Sequence, residues 1–231
     1  MSKIHHLASP FSEEVIRSLH AGDIVYFDGP LFGIRDLTQI HIFDHNNPPP
    51  VSLAGMPCIH TAPSLRKNGD KWEKICVGTT TSTRMERFTP GLIGRYGVRA
   101  IIGKGGLYQD SLEAMKKYGA VYLAIVGGAA ALETEQIEEV EQVYFEELHP
   151  EALYRFRVKN FGPLTVAMDS HGVHLYERVN ESIKEKLPGI YAKLGELYAE
   201  FHARRPGRIS PEQRHAYRPE HAQPFWRTYG R

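Results

Sequence analysis

The chain has 231 residues, with 28 basic and 27 acidic side chains and a formal net charge of +1. This balance argues against a nucleic-acid-binding protein, which usually has a strong basic excess, and the 42% of hydrophobic residues argues against a disordered chain. The two cysteines, Cys58 and Cys76, are too few for a disulfide framework or a four-cysteine metal site. No segment approaches the ~20 apolar residues of a membrane span and no signal peptide is evident, so we expect a cytoplasmic protein.

The first part of the chain is predicted to contain short elements separated by loops. Residues 1–20 form a lead-in with a short amphipathic helix that Ser12 caps. A strand over residues 24–27 then runs into a turn signal at residues 28–30. Residues 46–50, which are Asn and Pro only, predict a loop.

A hairpin and then an alternation of strands and helices are predicted next. Residues 57–61 and 72–77 have strand composition and flank a polar turn at residues 67–70, which predicts a β-hairpin. The alternating segments are a strand at 98–102, a helix at 107–118, a strand at 121–126 and an Ala-rich helix at 128–134. Such alternation predicts parallel pairing of the strands. Further strands are predicted at 141–146, 153–158 and 164–168.

The end of the chain changes character twice. From Leu175 the apolar residues recur every three or four positions, which predicts a helix that Pro188 kinks or divides. Residues 203–231 contain seven Arg and two acids, a net charge of 7 − 2 = +5, with four Pro and three aromatic residues near the end. This tail is either a solvated, partly disordered segment or an arm that packs on a partner subunit.

A run of hydroxyl side chains over residues 79–83 precedes Arg84, and Lys104 follows 20 residues later between glycines. A guanidinium is a planar fork that matches a carboxylate, an ammonium is a compact point charge, and threonine hydroxyls both donate and accept hydrogen bonds. Lys104 also lies just past a predicted strand and before a predicted helix, the edge at which α/β sheets bind ligands. The pattern indicates a site for a small molecule with more than one carboxylate.

Each piece alone has a purely structural alternative. The Gly-Lys-Gly-Gly stretch at residues 103–106 is also typical of a tight strand-to-helix turn. The hydroxyl run is also typical of a strand edge or a helix cap. Arg35 and Asp36 could form only a surface ion pair. Nucleotide binding at residues 103–106 is a weak alternative, because the spacing from Gly97 is wrong for a P-loop.

The histidine pairs do not predict a metal site. His41 and His45 are four residues apart, and His171 and His174 are three apart. Such spacings bind metals on helices, but neighbouring Asn, Pro and Gly residues indicate loops, and no Cys or carboxylate completes either set.

Several motifs in register resemble one known family. Residues 78–85, 103–106, 122–132 (YLAIVGGAAAL) and 166–172 (VAMDSHG) are similar to the β subunit of two-subunit class I fumarate hydratases. The family also includes the β subunit of L-tartrate dehydratase and the C-terminal domain of single-chain class I fumarases. The similarity extends over roughly residues 20–185.

The resemblance implies an α/β fold, a swivelling β/β/α domain with a mixed sheet, which we place at residues 1–202 with the tail at 203–231 as an extension. It implies a hydro-lyase acting on a dicarboxylic acid. It also implies a [4Fe-4S] cluster carried by a partner α subunit, a hetero-oligomer such as α2β2, and no activity of this chain alone.

Family roles carried over residue by residue give a five-residue site. Arg35, Arg84 and Lys104 would bind substrate carboxylates, and Thr80 and Thr81 would donate or accept hydrogen bonds. Thr80 lies closest to the proton transfer, so Thr80 and Lys104 are the predicted catalytic residues. The resemblance implies no metal ligand in this chain and places the general base on the partner.

Three departures from the family pattern bear on the substrate. Gln39 stands where the family often has His, Thr79 where it often has Pro, and residues 59–63 lack the Tyr and Ala-Gly-Pro common in fumarases. The departures bear on the substrate more than on the reaction class. The Gly-Gly-Ala-Ala-Ala-Leu segment at residues 127–132 resembles the fumarases, so we expect fumarate/malate as the first substrate, L-tartrate as the second and mesaconate as the third. A non-catalytic carboxylate-binding or assembly module of the same fold is the alternative from another class.

Overall fold

The structure, a computed structural model, describes residues 2–128 and 130–203. The chain divides after Tyr176 into two compact units, which we describe separately. The first unit contains the strands of the described part of the chain, and the second contains the helix that continues beyond Tyr176. The predicted tail at residues 203–231 lies outside the described residues from 204 onward, so the boundary at 202 stays a prediction.

The strands are β1 Ile4–Ala8, β2 Ile24–Ile34, β3 Pro57–His60, β4 Ser64–Asn68, β5 Lys71–Cys76, β6 Ala100–Gly103, β7 Val121–Ala124, β8 Ile137–Tyr144 and β9 Leu153–Met168. The α-helices are α1 Glu13–Arg17, α2 Asp36–Phe43, α3 Thr89–Tyr96, α4 Gln109–Tyr118, α5 Ala130–Glu135 and α6 Leu175–Ala203. Two 3-10 helices cover Ser82–Phe88 and Glu146–Glu151.

Five strands close into a barrel-like mixed sheet. β2, β3, β6 and β7 lie side by side in parallel. The 16-residue strand β9 runs antiparallel to them and pairs with both β7 and β2, which closes the ring. β1 and β8 extend the sheet from β2 and β9. Because carboxyl ends of parallel strands meet at one edge, the residues that follow Ile34, His60, Gly103 and Ala124 share one rim. The predicted α/β fold with a mixed sheet is confirmed.

Both faces of the central strands are buried. One core cluster contains Phe27, Phe156 and Phe161 with α1, and the other contains residues of α2, α3 and α4. Successive side chains of a strand point to opposite faces, and every residue of β3 and β6 is buried. A nearly continuous apolar run is what a parallel strand covered on both faces requires.

Two sequence predictions in the first half are wrong in detail. The turn signal at residues 28–30 does not end a strand, because β2 continues to Ile34 and absorbs these residues as an irregularity in its pairing with β9. Gly29 has a φ of +112°, a conformation that glycine accommodates at a bulge. Likewise, residues 57–60 belong to the barrel, and the hairpin that contains turn 67–70 is formed by β4 and β5.

Other predictions hold with changed boundaries. Ser12 caps α1 by accepting a hydrogen bond from Val15 N–H at 3.2 Å. β6 and β7 pair in parallel as expected. The two strands predicted after residue 153 are one strand, β9, and α6 runs undivided through Pro188. No helix in residues 2–128 and 130–203 is long and apolar enough to cross a membrane.

Replacement of Phe156 by Ala should destabilise the chain by about 3–5 kcal/mol, because the fully buried ring packs in the core cluster with Phe27 and Phe161 and Ala leaves a cavity. Phe156→Leu should cost clearly less. Urea unfolding followed by circular dichroism measures both. Ile4→Ala, at a side chain 66% exposed, is the control and should change the unfolding free energy by less than about 0.5 kcal/mol. Equal losses for Phe156→Ala and Ile4→Ala would contradict the assigned core.

Candidate functional site

The hydroxyl run over residues 79–83 crosses the rim and is joined to two barrel strands. Thr80 N–H donates to the His60 carbonyl at 2.8 Å, and Ser82 N–H donates to the Lys104 carbonyl at 2.8 Å. Thr79 bridges Thr61 beyond β3, and Thr81 bridges Lys104 beyond β6. These backbone bonds place the hydroxyl run beside the carboxyl ends of both strands. The predicted residues Thr80, Thr81 and Lys104 are thereby brought together.

Arg84 is oriented by a carboxylate and by Thr80. Its Nη2 lies 2.9 Å from Asp36 Oδ2 and 3.3 Å from Thr80 Oγ1, and its Nε lies 3.4 Å from Asp36 Oδ1. Burial by itself would raise the pKa of Asp36, but the hydrogen bond and charge of Arg84, with the charge of Arg35, lower it overall. Asp36 is therefore ionised at neutral pH. The Arg84 side chain remains 48% exposed and accessible to a ligand.

Arg35 shares the same carboxylate. It follows β2 directly and precedes α2, and its Nε lies 3.4 Å from Asp36 Oδ2 and 3.5 Å from Glu151 Oε1. No described hydrogen bond satisfies this buried Nε. The two arginines thus meet at Asp36, whose sequence position next to Arg35 suggested only a local ion pair. The structure brings Arg35 and Arg84 together at Asp36, and their role in carboxylate binding stays a prediction.

Lys104 lies over a glycine turn. A Cβ on Gly127, in the turn between β7 and α5, would be 2.8 Å from Lys104 Cδ and 3.3 Å from its Nζ. Gly105 and Gly106 after the lysine have φ of +82° and +76°. Thr83 Oγ1 donates to the carbonyls of both, at 3.2 and 3.3 Å. The Gly-Lys-Gly-Gly stretch is therefore a tight turn whose lysine lies on the same rim as the hydroxyl run.

A buried hydrogen-bond chain under the rim was not predicted from the sequence. Gly106 N–H donates to Tyr122 Oη at 3.3 Å, Tyr122 O–H donates to Ser82 Oγ at 3.0 Å, and Ser82 Oγ lies 2.9 Å from His60 Nδ1. Burial lowers the pKa of His60 to about 3, so Nδ1 is free to accept from Ser82. Burial likewise raises the pKa of Tyr122 far above its ordinary value, so the phenol keeps its proton. The chain links β3, the hydroxyl run, β7 and the glycine loop.

Glu133 is a second residue that sequence reasoning missed. Its side chain is 2% exposed, and neither carboxyl oxygen has a hydrogen-bond partner among the described residues. Burial raises its pKa to about 7, against the lowering effect of the Lys104 charge. In the sequence, Glu133 is an acid directly after an apolar Ala-rich segment, and this pattern alone does not predict a buried carboxyl.

The described residues do not fit a [4Fe-4S] cluster. Cys58 is buried in β3, where burial raises the pKa of its thiol to about 12, while Cys76 is exposed at the end of β5. No group of three or more His, Cys, Asp or Glu side chains in residues 2–128 and 130–203 is arranged to hold a metal ion. His41 and His45 make an edge-on ring contact, with ring centroids 6.1 Å apart.

Gly103→Ala should disrupt the buried chain, because the new Cβ would lie 2.0 Å from Ser82 Oγ and 3.3 Å from Tyr122 Oη. We expect a loss of about 1–3 kcal/mol in unfolding free energy, measured by urea unfolding. Gly189→Ala is the matched control, since nothing lies within 4 Å of its Cβ position in α6. Alanine there should be neutral or stabilising by up to about 1 kcal/mol. Unchanged stability of Gly103→Ala would contradict the packing described.

Glu133→Gln should stabilise the chain at pH 8 and leave it nearly unchanged at pH 4. In the unfolded chain the carboxyl ionises above its ordinary pKa of 4.5, whereas the buried carboxyl stays neutral up to about 7, so wild-type stability falls between these two pH values. A shift from 4.5 to about 7 corresponds to a cost of about 3 kcal/mol at pH 8, which glutamine avoids. Urea unfolding of both proteins at the two pH values measures the difference. Glu135→Gln, at an exposed position of the same helix, should show no such pH dependence.

Comparison with known proteins gives a consistent result. The family model "Fumarase C-terminus" matches residues 2–179. The L(+)-tartrate dehydratase subunit beta of Escherichia coli (strain K12) is 38% identical over 197 residues, 85% of this chain and 97% of that protein. The putative L(+)-tartrate dehydratase subunit beta of Methanocaldococcus jannaschii is 41% identical over 177 residues, 74% of this chain and 91% of that protein.

A third relative has a different organisation. The putative fumarate hydratase class I of Geobacillus stearothermophilus is 41% identical over 184 residues, which are 78% of this chain but 35% of that protein. This chain therefore corresponds to a part of that longer enzyme and to nearly the whole of the beta subunits. With a family model over residues 2–179 and relatives well above 30% identity, the chain belongs to the fumarase C-terminus family of hydro-lyase subunits.

Proposed function

We propose that this chain is the β subunit of a [4Fe-4S] hydro-lyase that reversibly adds water to, or removes it from, a small dicarboxylic acid. The observation that carries the proposal is the rim itself, where Arg35 and Arg84 meet at Asp36, Arg84 donates to Thr80 Oγ1, and a backbone bridge joins Thr81 to Lys104. Guanidinium and ammonium groups beside hydroxyl donors suit a ligand with two carboxylates. Membership in the family supports the reaction class.

The cations suit the charge that develops in elimination of water. Loss of the proton next to a carboxylate moves negative charge onto the carboxylate oxygens, and preorganised cations stabilise that charge. Arg84 and Lys104 belong to different rim segments, so a dicarboxylate held by both has a fixed orientation, which supplies proximity for the reacting carbon. Arg35, connected to Arg84 through Asp36, adds a third positive charge.

Thr80 is the hydroxyl that we assign nearest to the proton transfer. Its Oγ1 accepts a hydrogen bond from Arg84 Nη2 at 3.3 Å, so its own O–H remains to donate to a substrate oxygen. Its backbone N–H is bound to the His60 carbonyl, which fixes the residue on the rim. Lys104 is the second proposed catalytic residue. The general base is assigned to the partner.

The cluster is proposed to reside on an α subunit. When bound there, it would act on the hydroxyl that leaves or enters, while this chain binds and orients the acid. The two cysteines of this chain do not form a cluster site, and the relatives named "subunit beta" imply a second subunit in those proteins. An α2β2 assembly and a cytoplasmic location complete the proposal.

Fumarate/malate is our first substrate and L-tartrate the second, followed by mesaconate. The names of the relatives include both tartrate dehydratase and fumarate hydratase, at 38% and 41% identity, which supports the pair but does not rank them. The departures from the family pattern leave the cations in place. Gln39 is fully buried in α2, and Thr79 Oγ1 donates to the His60 carbonyl at 3.2 Å. This retention favours an enzyme over a non-catalytic module.

The function is tested by anaerobic co-expression with a cluster-bearing α chain. Co-purification and turnover of fumarate, L-tartrate or mesaconate would identify reaction and substrate together. A complex that turns over none of the three would refute these substrates, and failure of the chains to associate would favour the non-catalytic module.

Nucleotide binding at residues 103–106 is a separate alternative. It predicts that ATP or NAD raises the melting temperature of the chain, and we expect no such shift.

Arg84→Ala and Lys104→Ala should each lower kcat/KM of the complex by about two to four orders of magnitude, because each removes a charge that stabilises the transition state. Arg87→Ala is the matched control. Arg87 is 60% exposed, belongs to the same 3-10 helix as Arg84 and also pairs with an aspartate, Asp44.

Measurements of stability distinguish activity lost with the catalytic charge from activity lost because the chain unfolds. Arg84 makes a largely exposed ion pair, so its loss should change the unfolding free energy by less than about 1 kcal/mol. Steady-state kinetics and urea unfolding of the same preparations measure both effects. Full turnover by Arg84→Ala, or equal losses in Arg87→Ala, would contradict the assigned role.

A further inference from the structure

Glu133 belongs to α5, the helix that follows the turn against which the Lys104 side chain lies. The turn between β7 and α5 contains Gly127, and the side chain of Lys104 lies against that glycine. α5 packs against β5 and β8, and the hydroxyl of Thr134, the next residue, accepts a hydrogen bond from Val77 N–H at 2.7 Å. The helix that carries Glu133 is thus fixed on β5 and β8, directly after the turn that Lys104 contacts.

The carboxyl group of Glu133 is removed from water without a compensating partner. It is 2% exposed, and both oxygens lack hydrogen-bond partners within the described residues. The structure shows no ion pair between Glu133 and Lys104, yet the lysine charge is felt at the carboxyl and offsets part of the effect of burial on its pKa. An unpaired buried carboxylate is unfavourable, so its ionised form depends on the positive charge of Lys104.

We propose that Glu133 is a positioning residue of the carboxylate site, which takes up a proton when a substrate carboxylate binds at Lys104 and releases it when the site empties. The inference rests on the proposed function, because it requires a carboxylate at Lys104. A bound carboxylate compensates the lysine charge, so Glu133 loses the cation that favours its ionised form. One carboxyl oxygen then forms an O–H bond with a proton taken from solvent.

Among the charged groups around Glu133, Lys104 is the one whose charge lowers the pKa of Glu133. The other titratable side chains on packed elements are Lys71, Glu73, Lys74 and Cys76 of β5, Glu138, Glu139, Glu141 and Tyr144 of β8, and Glu135 of α5 itself. Burial raises the pKa of Glu133 and the charge of Lys104 lowers it, with a balance at about 7. Proton uptake should therefore be observable close to neutral pH.

Thermodynamic linkage gives the expected sign. Above pH 7 an increasing share of the free chain carries ionised Glu133, which competes with the substrate for Lys104. The dissociation constant of a dicarboxylate should thus rise with pH, by at most tenfold for each pH unit for one linked proton. With Glu133→Gln the residue is neutral at every pH, and this dependence should vanish.

Succinate is the suitable probe, because it has two carboxylates but neither a hydroxyl group nor a double bond to react. Calorimetric titration of the complex of this chain with its α subunit, at pH 7.5 in PIPES and in Tris, gives the number of protons taken up. We expect uptake of part of one proton by the wild type and by the control Glu135→Gln, and none by Glu133→Gln. The succinate dissociation constant from pH 6.5 to 8.5 should rise in the first two proteins and stay flat in the third.

A direct titration does not depend on the variant. In the complex with its α subunit, with this chain labelled with ¹³C-glutamate, the carboxyl signal of Glu133 should titrate near pH 7 and move to higher pH with succinate. If succinate binds but the titration of the Glu133 signal does not move, or if wild type and Glu133→Gln take up equal numbers of protons, the inference is overturned. The proposed function would then still stand, because succinate has bound. If succinate, L-malate and L-tartrate all fail to bind the complex, the proposed function fails and the inference with it.

Discussion

The backbone hydrogen bonds that join residues 79–83 to two barrel strands are the constraint on which the site depends. Thr80 N–H to the His60 carbonyl and Ser82 N–H to the Lys104 carbonyl connect segments more than 18 residues apart in sequence. β3 and β6 pair side by side in parallel, so both carbonyls are available at one rim. Without this attachment, neither Thr80 nor Arg84 would have a fixed position relative to Lys104, and proximity would be lost.

Electrostatic balance at the rim follows from the same geometry. Asp36 holds Arg84 through two nitrogen atoms and also lies near Arg35, so one carboxylate orients two guanidiniums without compensating both. The partial exposure of these groups keeps the ion pairs weak in stability terms. These ion pairs orient the two guanidinium groups, and a residual positive charge remains to bind a ligand. Lys104, supported by the glycine turn, adds its charge from another element.

Sequence alone pointed to the hydroxyl run, Arg84 and Lys104 as a carboxylate site because these residues form local motifs, whereas Arg35 entered only through the family resemblance. It could not predict the buried chain of His60, Ser82 and Tyr122, whose members are 22 and 40 residues apart and meet only when the barrel closes. Local signals also failed at residues 28–30, where Gly-Pro chemistry predicted a turn but tertiary pairing with β9 extends β2 as a bulged strand. The role of the tail stays a prediction.

Burial divides the titratable groups near the rim into two kinds. His60 and Tyr122 are kept neutral over the whole physiological range, since burial lowers the pKa of the first to about 3 and raises that of the second. Neither side chain therefore changes its charge near neutral pH. Glu133 differs, because the charge of Lys104 brings its pKa back to about 7. The buried chain under the rim therefore does not titrate near neutral pH, whereas the carboxyl of Glu133 does, so we expect the charge near Lys104 at neutral pH to depend on that carboxyl.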